Sequence, residues 1–261
     1  MSYLNSKPLV HGLAELLPDD KLIFDYPSRL ADALARQELD VALVPSIELA
    51  EHPDWRIVSD ACIGCIGPVL SVKLLFRTAP EQVRSLALDE GSRTSAVLAQ
   101  ILLHKQYGLR PKLTRLPIGS GADQVDADAV LLIGDRAIYN DDNQFVEVWD
   151  LGDRWVRSTE LPMVFAMWVA RPEIETDSVA VALSSARDNG CRHLLSIAAE
   201  QSEEMQLPLE VVEEYLCRNL HFHLGSDQLR GLESFYQFAA ELDLISEPPS
   251  VALHDCSIFH S

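Results

Sequence analysis

Residues 28–37 read Ser-Arg-Leu-Ala-Asp-Ala-Leu-Ala-Arg-Gln, with Leu30 and Leu34 four apart. That spacing predicts a helix with one apolar face, and Ser28 stands where a capping residue belongs. Residues 41–44 form an unbroken apolar run, the pattern of a strand buried on both faces. The unit then recurs. Residues 86–89 predict a strand, Glu90-Gly91 a turn, and residues 92–107 a helix with Val97, Leu98, Ile101 and Leu102 facing inward and Gly108 at its end. Residues 129–133 predict a third strand, running into Gly134-Asp135 and a short helical pattern. Strands alternating with helices predict an α/β fold with a mainly parallel sheet.

Two further runs, residues 70–76 and 164–170, are strand-like and bracket a block with its own apolar core. Both read as crossings between lobes. After Pro172 the spacing is helical over residues 174–189, 191–203, 209–222 and 227–242. A lobe, an inserted lobe and a return by two adjacent strands describe a two-lobed solute-binding module with its ligand cleft at the hinge. The expected division is residues 1–74 plus 169–261 in one lobe and 75–168 in the other.

Composition sharpens this picture. The 261 residues are 48% hydrophobic and 23% charged, enough for a substantial core and unlike a disordered chain. Lysine and arginine number 21 against 40 acidic residues, a net charge of 21 − 40 = −19. Such a surface repels phosphate backbones and anionic lipid, so neither nucleic acid nor membrane is an expected partner. An anionic ligand would have to be held by a few local donors. No apolar run is long enough to span a bilayer: residues 61–76 are broken by Pro68 and Lys73, and residues 161–170 are too few. The first residues lack a basic region followed by an apolar stretch, which predicts a cytoplasmic chain. Five cysteines, Cys62, Cys65, Cys191, Cys217 and Cys256, are an odd set that fits a reducing compartment.

The strongest chemical signal is Asp89-Glu-Gly-Ser-Arg-Thr-Ser95 at a strand-to-helix junction. Ser92, Arg93, Thr94 and Ser95, with free backbone N–H groups and the positive end of a helix dipole, make a carboxylate or phosphate receptor. Ser92 alone would be an ordinary N-cap. In Ser2-Tyr-Leu-Asn-Ser-Lys-Pro8, Pro8 falls in the first turn of a helix reaching Leu17, Ser6 is a candidate cap, and Asn5 ends a strand where its amide can both donate and accept. Ser46 follows the strand at residues 41–44, and Ser71 precedes the first crossing strand. Polar strand ends of this kind are where open α/β sheets bind ligands, and together they would ring one cleft. Cys62-Ile-Gly-Cys65 has the spacing of a metal knuckle, but no second pair completes it, so the cysteines read as structural and no metal is expected. His221 and His223, two apart on a helical pattern, would point away from each other and serve packing or solvent. No P-loop, GxGxxG, G-x-S-x-G or HExxH motif occurs.

The segments Ser2-Tyr-Leu-Asn-Ser-Lys-Pro-Leu9, Tyr26-Pro-Ser-Arg-Leu30, Asp40-Val-Ala-Leu-Val-Pro-Ser46, Asp89-Glu-Gly-Ser-Arg-Thr-Ser95, Leu131-Leu-Ile-Gly-Asp135 and Leu161-Pro-Met-Val-Phe-Ala-Met-Trp168 occur in order. Together they resemble the chorismate dehydratases of the futalosine route to menaquinone. The sister enzyme that makes 1,4-dihydroxy-6-naphthoate looks different at the first motif. The resemblance implies a periplasmic-binding-protein-like fold of type II and a cofactor-free carbon–oxygen lyase acting on a dianionic small molecule. It implies Asn5 and Ser71 as catalytic contacts, and Ser46, Ser92, Arg93, Thr94, Ser95 and Asp135 as substrate-binding residues. The proton acceptor would be either the enolpyruvyl carboxylate of the substrate or Asp135, which could equally cap the helix that follows it. A non-catalytic receptor for an anionic solute fits the same pattern. The family carries a β-strand ahead of the first motif whereas this chain begins on it: either the start is misassigned or the strand is absent, and in the second case the sheet would lose an element that should hold Asn5.

Overall fold

The computed structural model describes residues 3–251, so Met1, Ser2 and Cys256 lie outside the described residues. Its strands are β1 (Val41–Pro45), β2 (Arg56–Cys65), β3 (Val72–Phe76), β4 (Ser85–Asp89), β5 (Lys112–Leu116), β6 (Ala129–Ile133), β7 (Glu147–Asp150), β8 (Met163–Ala170) and β9 (His221–His223). They form two sheets, ordered β1-β8-β2-β9 and β5-β4-β6-β3-β7. The α/β class is as expected. The mainly parallel sheet is not: every pair of the first sheet is antiparallel, and in the second only the β5–β4 and β4–β6 pairs are parallel, while β3 pairs antiparallel with both β6 and β7. A run buried on both faces carries no mark of strand direction, so apolar pattern alone cannot separate the two arrangements.

The same ambiguity misplaces the crossings. All of β3 pairs within the second sheet and all of β8 within the first. The chain therefore changes sheets between Cys65 and Val72, and again between Asp150 and Met163, rather than at 74/75 and 168/169. The second crossing is made by the helix Leu151–Thr159, whose Trp155 is fully buried. Among the described residues no strand precedes β1, which forms an edge of its sheet.

Helices with strong local signals lie where the pattern puts them. Pro27–Ala35 buries Leu30 and Leu34, although it starts on Pro27 after Tyr26, with Ser28 inside the helix and not its cap, and Arg93–Tyr107 is capped by Ser92 and ended by Gly108 in the left-handed conformation. Two expectations fail. Residues 8–17 are not one helix but a 3-10 turn, Leu4–Val10, followed by the short helix Leu13–Leu16, because Pro8 lies inside the turn and Gly12 breaks it. Ser6 lies inside the turn rather than at its start, and its hydroxyl donates to the Tyr3 carbonyl at 2.8 Å. Residues 209–222 split into the helix Leu209–Glu214, a π-turn Tyr215–Asn219 and β9, so His221 and His223 belong to a strand that pairs with β2. One continuous apolar cluster runs through both sheets and the helices between them, with Trp149, Trp155, Phe235 and Tyr236 at its centre.

Candidate functional site

Where the two sheets face each other lies a narrow recess, partly open to solvent, with about 430 Å³ of non-atom space when the open solvent at its mouth is included. β2 and β8 of the first sheet contribute Ile63, Phe165 and Ala166 to its wall. β3 and β6 of the second contribute Val72 and Ile133, and the helix start adds Ser92 and Ser95. Asn5, Ser71, Tyr3, Gly134, Pro27 and Val69 complete the lining, and among the described residues no lining residue carries a charge.

Each polar group is held by neighbours that the sequence spreads far apart. Ser71 follows Leu70, a non-glycine residue at φ 63°. That conformation is fixed by the Asp150 carboxylate, which accepts from the Leu70 N–H at 2.6 Å and the Val69 N–H at 2.9 Å. The Ser71 carbonyl accepts from the Gly134 N–H at 2.8 Å, and its Oγ accepts from the Tyr215 hydroxyl at 2.8 Å. Gly134 has φ 68°, and a Cβ there would stand 2.4 Å from the Tyr3 ring, so only glycine lets that ring close over the end of β6.

Asn5 is brought in by the 3-10 turn. Tyr3 offers that turn no side-chain cap, and the missing acceptor comes from the other lobe: Asp135 Oδ1 takes the Leu4 N–H at 3.1 Å. Asp135 thus caps the N-terminal turn rather than its own helix. Burial pushes its carboxyl up to about 6. The Asn5 Oδ1 is buried with no hydrogen-bond partner among the described residues, and Asn5 is one of the residues that line the recess.

The anion motif divides between two roles. Ser92 and Ser95, three apart on one helix face, both line the recess and share a hydrogen bond of 3.0 Å between their hydroxyls. The Ser92 Oγ also caps the Ser95 N–H, and the positive end of the helix dipole sits at this wall. Asp89 shapes the turn before them, accepting from the Gly91 N–H at 2.9 Å, the Ile133 N–H at 3.2 Å and Arg136 at 2.6 Å. Arg93 faces elsewhere. Its guanidinium donates to Glu48 at 2.9 Å and Asp32 at 2.5 Å, both on the first lobe, and it lines a separate, open groove. Thr94 is fully buried, and its hydroxyl meets the Ser46 hydroxyl at 3.2 Å and accepts from the Ile47 N–H at 3.1 Å. Ser46 is spent in the same contact, donating to the Val164 carbonyl at 2.8 Å. Arg93, Thr94 and Ser46 therefore join the lobes instead of lining the recess, because consecutive helical positions point about 100° apart.

Cys62 and Cys65 lie in the β2 core, fully buried, and burial raises both thiols, Cys65 to about 12. Three residues at the site went unnoticed in the sequence: Tyr3, Asp150 and Tyr215. Tyr3 and Asp150 stand at ends of elements, where polar residues are common. Tyr215 sits inside a helical pattern that reads as core.

A family model described as menaquinone biosynthesis matches residues 1–241. The chain belongs to this family. A chorismate dehydratase of Thermus thermophilus is 31% identical to it over 252 residues, covering 89% of this chain and 91% of the relative. Among solved structures, a protein of Archaeoglobus fulgidus superposes with a TM-score of 0.72 at 14% identity, over 93% of this chain and 96% of its own. The periplasmic aliphatic sulphonate binding protein of Escherichia coli does so at 0.61 and 17% identity, over 94% and 85%. This member of the menaquinone-biosynthesis family thus has the periplasmic-binding-protein-like fold that the sequence predicts. Among its described residues no helix is long and apolar enough to cross a membrane.

Proposed function

We propose that this chain is a carbon–oxygen lyase that removes water from chorismate, giving 3-(1-carboxyvinyloxy)benzoate. The observation that carries this reading is the uncharged recess between the sheets, in which Asn5, Ser71, Ser92 and Ser95 converge at a helix N-terminus. The kinship with a chorismate dehydratase over most of both chains supports it.

The chemistry asks for what such a recess offers. The C–H bond at the ether-bearing carbon breaks, the ring hydroxyl departs, and the ring becomes aromatic. Proton and hydroxide leave as water, and aromatisation supplies the drive. The barrier lies in a weakly acidic C–H and a poor leaving group, so the site must orient the dianion and stabilise charge spreading into the ring carboxylate. Ser92 and Ser95 with the helix N-terminus hold a carboxylate, Ser71 donates to a second oxygen, and Asn5 Oδ1 accepts a hydrogen bond from the ring hydroxyl, which keeps its proton. Without a carboxylate or imidazole on the recess wall, the enolpyruvyl carboxylate of the substrate takes the carbon-bound proton and passes it to the departing hydroxide.

Incubation of the purified protein with chorismate tests this reading. A new aromatic absorbance and a product lighter by one water are expected; binding without turnover would mark a solute receptor and overturn it. Asp135→Asn is expected to keep turnover within about threefold of the parent, whereas a loss of about 100-fold or more would make Asp135 the proton acceptor.

A further inference from the structure

Tyr215 is fully buried and does not line the recess, yet its hydroxyl lies directly behind the two polar groups that do. It donates to Ser71 Oγ at 2.8 Å, and the Asn5 amide lies against the same hydroxyl. The tyrosine opens the π-turn Tyr215–Asn219, closed by the Leu220 N–H on the Tyr215 carbonyl at 3.2 Å. From the far end of that turn Asn219 Nδ2 donates to the Pro68 carbonyl at 3.1 Å. The turn therefore grips the crossing segment at two points, Pro68 and Ser71. Single π-turns interrupt a helix at some cost and are common beside functional sites.

From this arrangement we infer that Tyr215 is a positioning residue that sets the hydrogen-bond polarity of the recess. A serine hydroxyl that accepts from tyrosine keeps its own proton for another acceptor, so Ser71 is presented to the ligand as a donor. An asparagine that turns its Nδ2 toward the tyrosine oxygen leaves Oδ1 unpaired, and Asn5 Oδ1 is the buried acceptor without a partner. The recess then offers one donor and one acceptor in fixed places. It selects a ligand that brings an acceptor oxygen to Ser71 and a hydroxyl to Asn5. A ligand lacking that hydroxyl would leave the Asn5 acceptor unsatisfied, which is how buried polar groups discriminate strongly.

The kinetic part of the test rests on the dehydratase reading. Tyr215→Phe keeps the ring and removes the hydroxyl. With chorismate as substrate, kcat is expected to fall about 10- to 100-fold while KM stays within about threefold. In a Ser71→Ala background the same replacement should cost clearly less than it does alone, since the share of its effect that passes through Ser71 is already lost and only the Asn5 share remains. Losses that multiply in the double variant, or a Tyr215→Phe protein with unchanged kcat, would overturn the inference. A second measurement needs neither substrate nor a stable tyrosine variant. In the ligand-free protein, the Tyr215 hydroxyl proton should exchange slowly with water and give a resonance that moves or vanishes in Ser71→Ala. A rapidly exchanging proton, or one indifferent to Ser71→Ala, would sink the pairing. Absence of chorismate turnover in the unaltered protein would instead refute the dehydratase reading and leave the resonance to decide on Tyr215.

Discussion

Ser92 and Ser95 on one side, and Arg93 and Thr94 on the other, occupy a single turn of helix and do different work. The serines face an uncharged recess and offer it hydroxyls. The arginine and threonine face the opposite lobe and find their partners there, Asp32 and Glu48 for one, Ser46 and the Ile47 N–H for the other. Charge is therefore a poor guide to which residues of this turn face the recess. A guanidinium with two carboxylates already bound has little left for a ligand, whereas two serines at a helix start carry no competing charge. The same division recurs at the end of β6, where Gly134 lines the recess while Asp135 turns away to cap the N-terminal turn.

The sharpest way to break this contrast is to place a charge on the serine side. Ser95→Asp puts a carboxylate where the proposed reading seats the dianion, and like charges brought together cost several kcal/mol, so the KM for chorismate is expected to rise about 100-fold or more. An unchanged KM would place the ligand elsewhere. Next comes the opposite side. Arg93→Met leaves Glu48, 2% exposed, without its cation. Because Arg93 itself is 44% exposed, the loss is expected to be about 2 kcal/mol in chemical denaturation, below the usual figure for breaking a buried pair, with KM within about threefold. A large rise in KM with stability intact would return Arg93 to the ligand.

The smallest effect depends on pH. Burial raises the Asp135 carboxyl to about 6, so between the ordinary carboxylate range and that value the folded chain holds a proton the unfolded chain has lost. Stability from this group is complete below pH 4 and declines as pH rises through 6. Asp135→Asn keeps an acceptor for the Leu4 N–H without the charge. It should therefore match the parent at pH 4 and exceed it by about 1 kcal/mol at pH 8, read as melting temperature. A variant less stable than the parent at pH 8 would contradict the assignment.

Local signals carried much of this molecule. Ser92 and Gly108 mark the ends of their helix because capping is decided within a few residues, and the apolar runs of β1, β4 and β6 are strands because only burial on both faces explains them. What stayed hidden depends on distant partners. Nothing near Arg93 announces Glu48, 45 residues earlier, and nothing near Ser71 announces Tyr215, 144 residues later. The Ser92–Ser95 spacing was legible as one helix face, and the Arg93 side chain, one position on, had to point elsewhere. Strand direction in the first sheet was hidden for a different reason: antiparallel β8 between β1 and β2 is as apolar as a parallel strand would be.

A crystal structure with 3-(1-carboxyvinyloxy)benzoate bound tests the central assignment most directly. A carboxylate within about 3.2 Å of the Ser92 and Ser95 hydroxyls, with the ring beside Asn5 and Ser71 and the Arg93 pairs to Asp32 and Glu48 intact, is the expected result. Product seated in the open groove against Arg93, with the recess between the sheets empty, would contradict it.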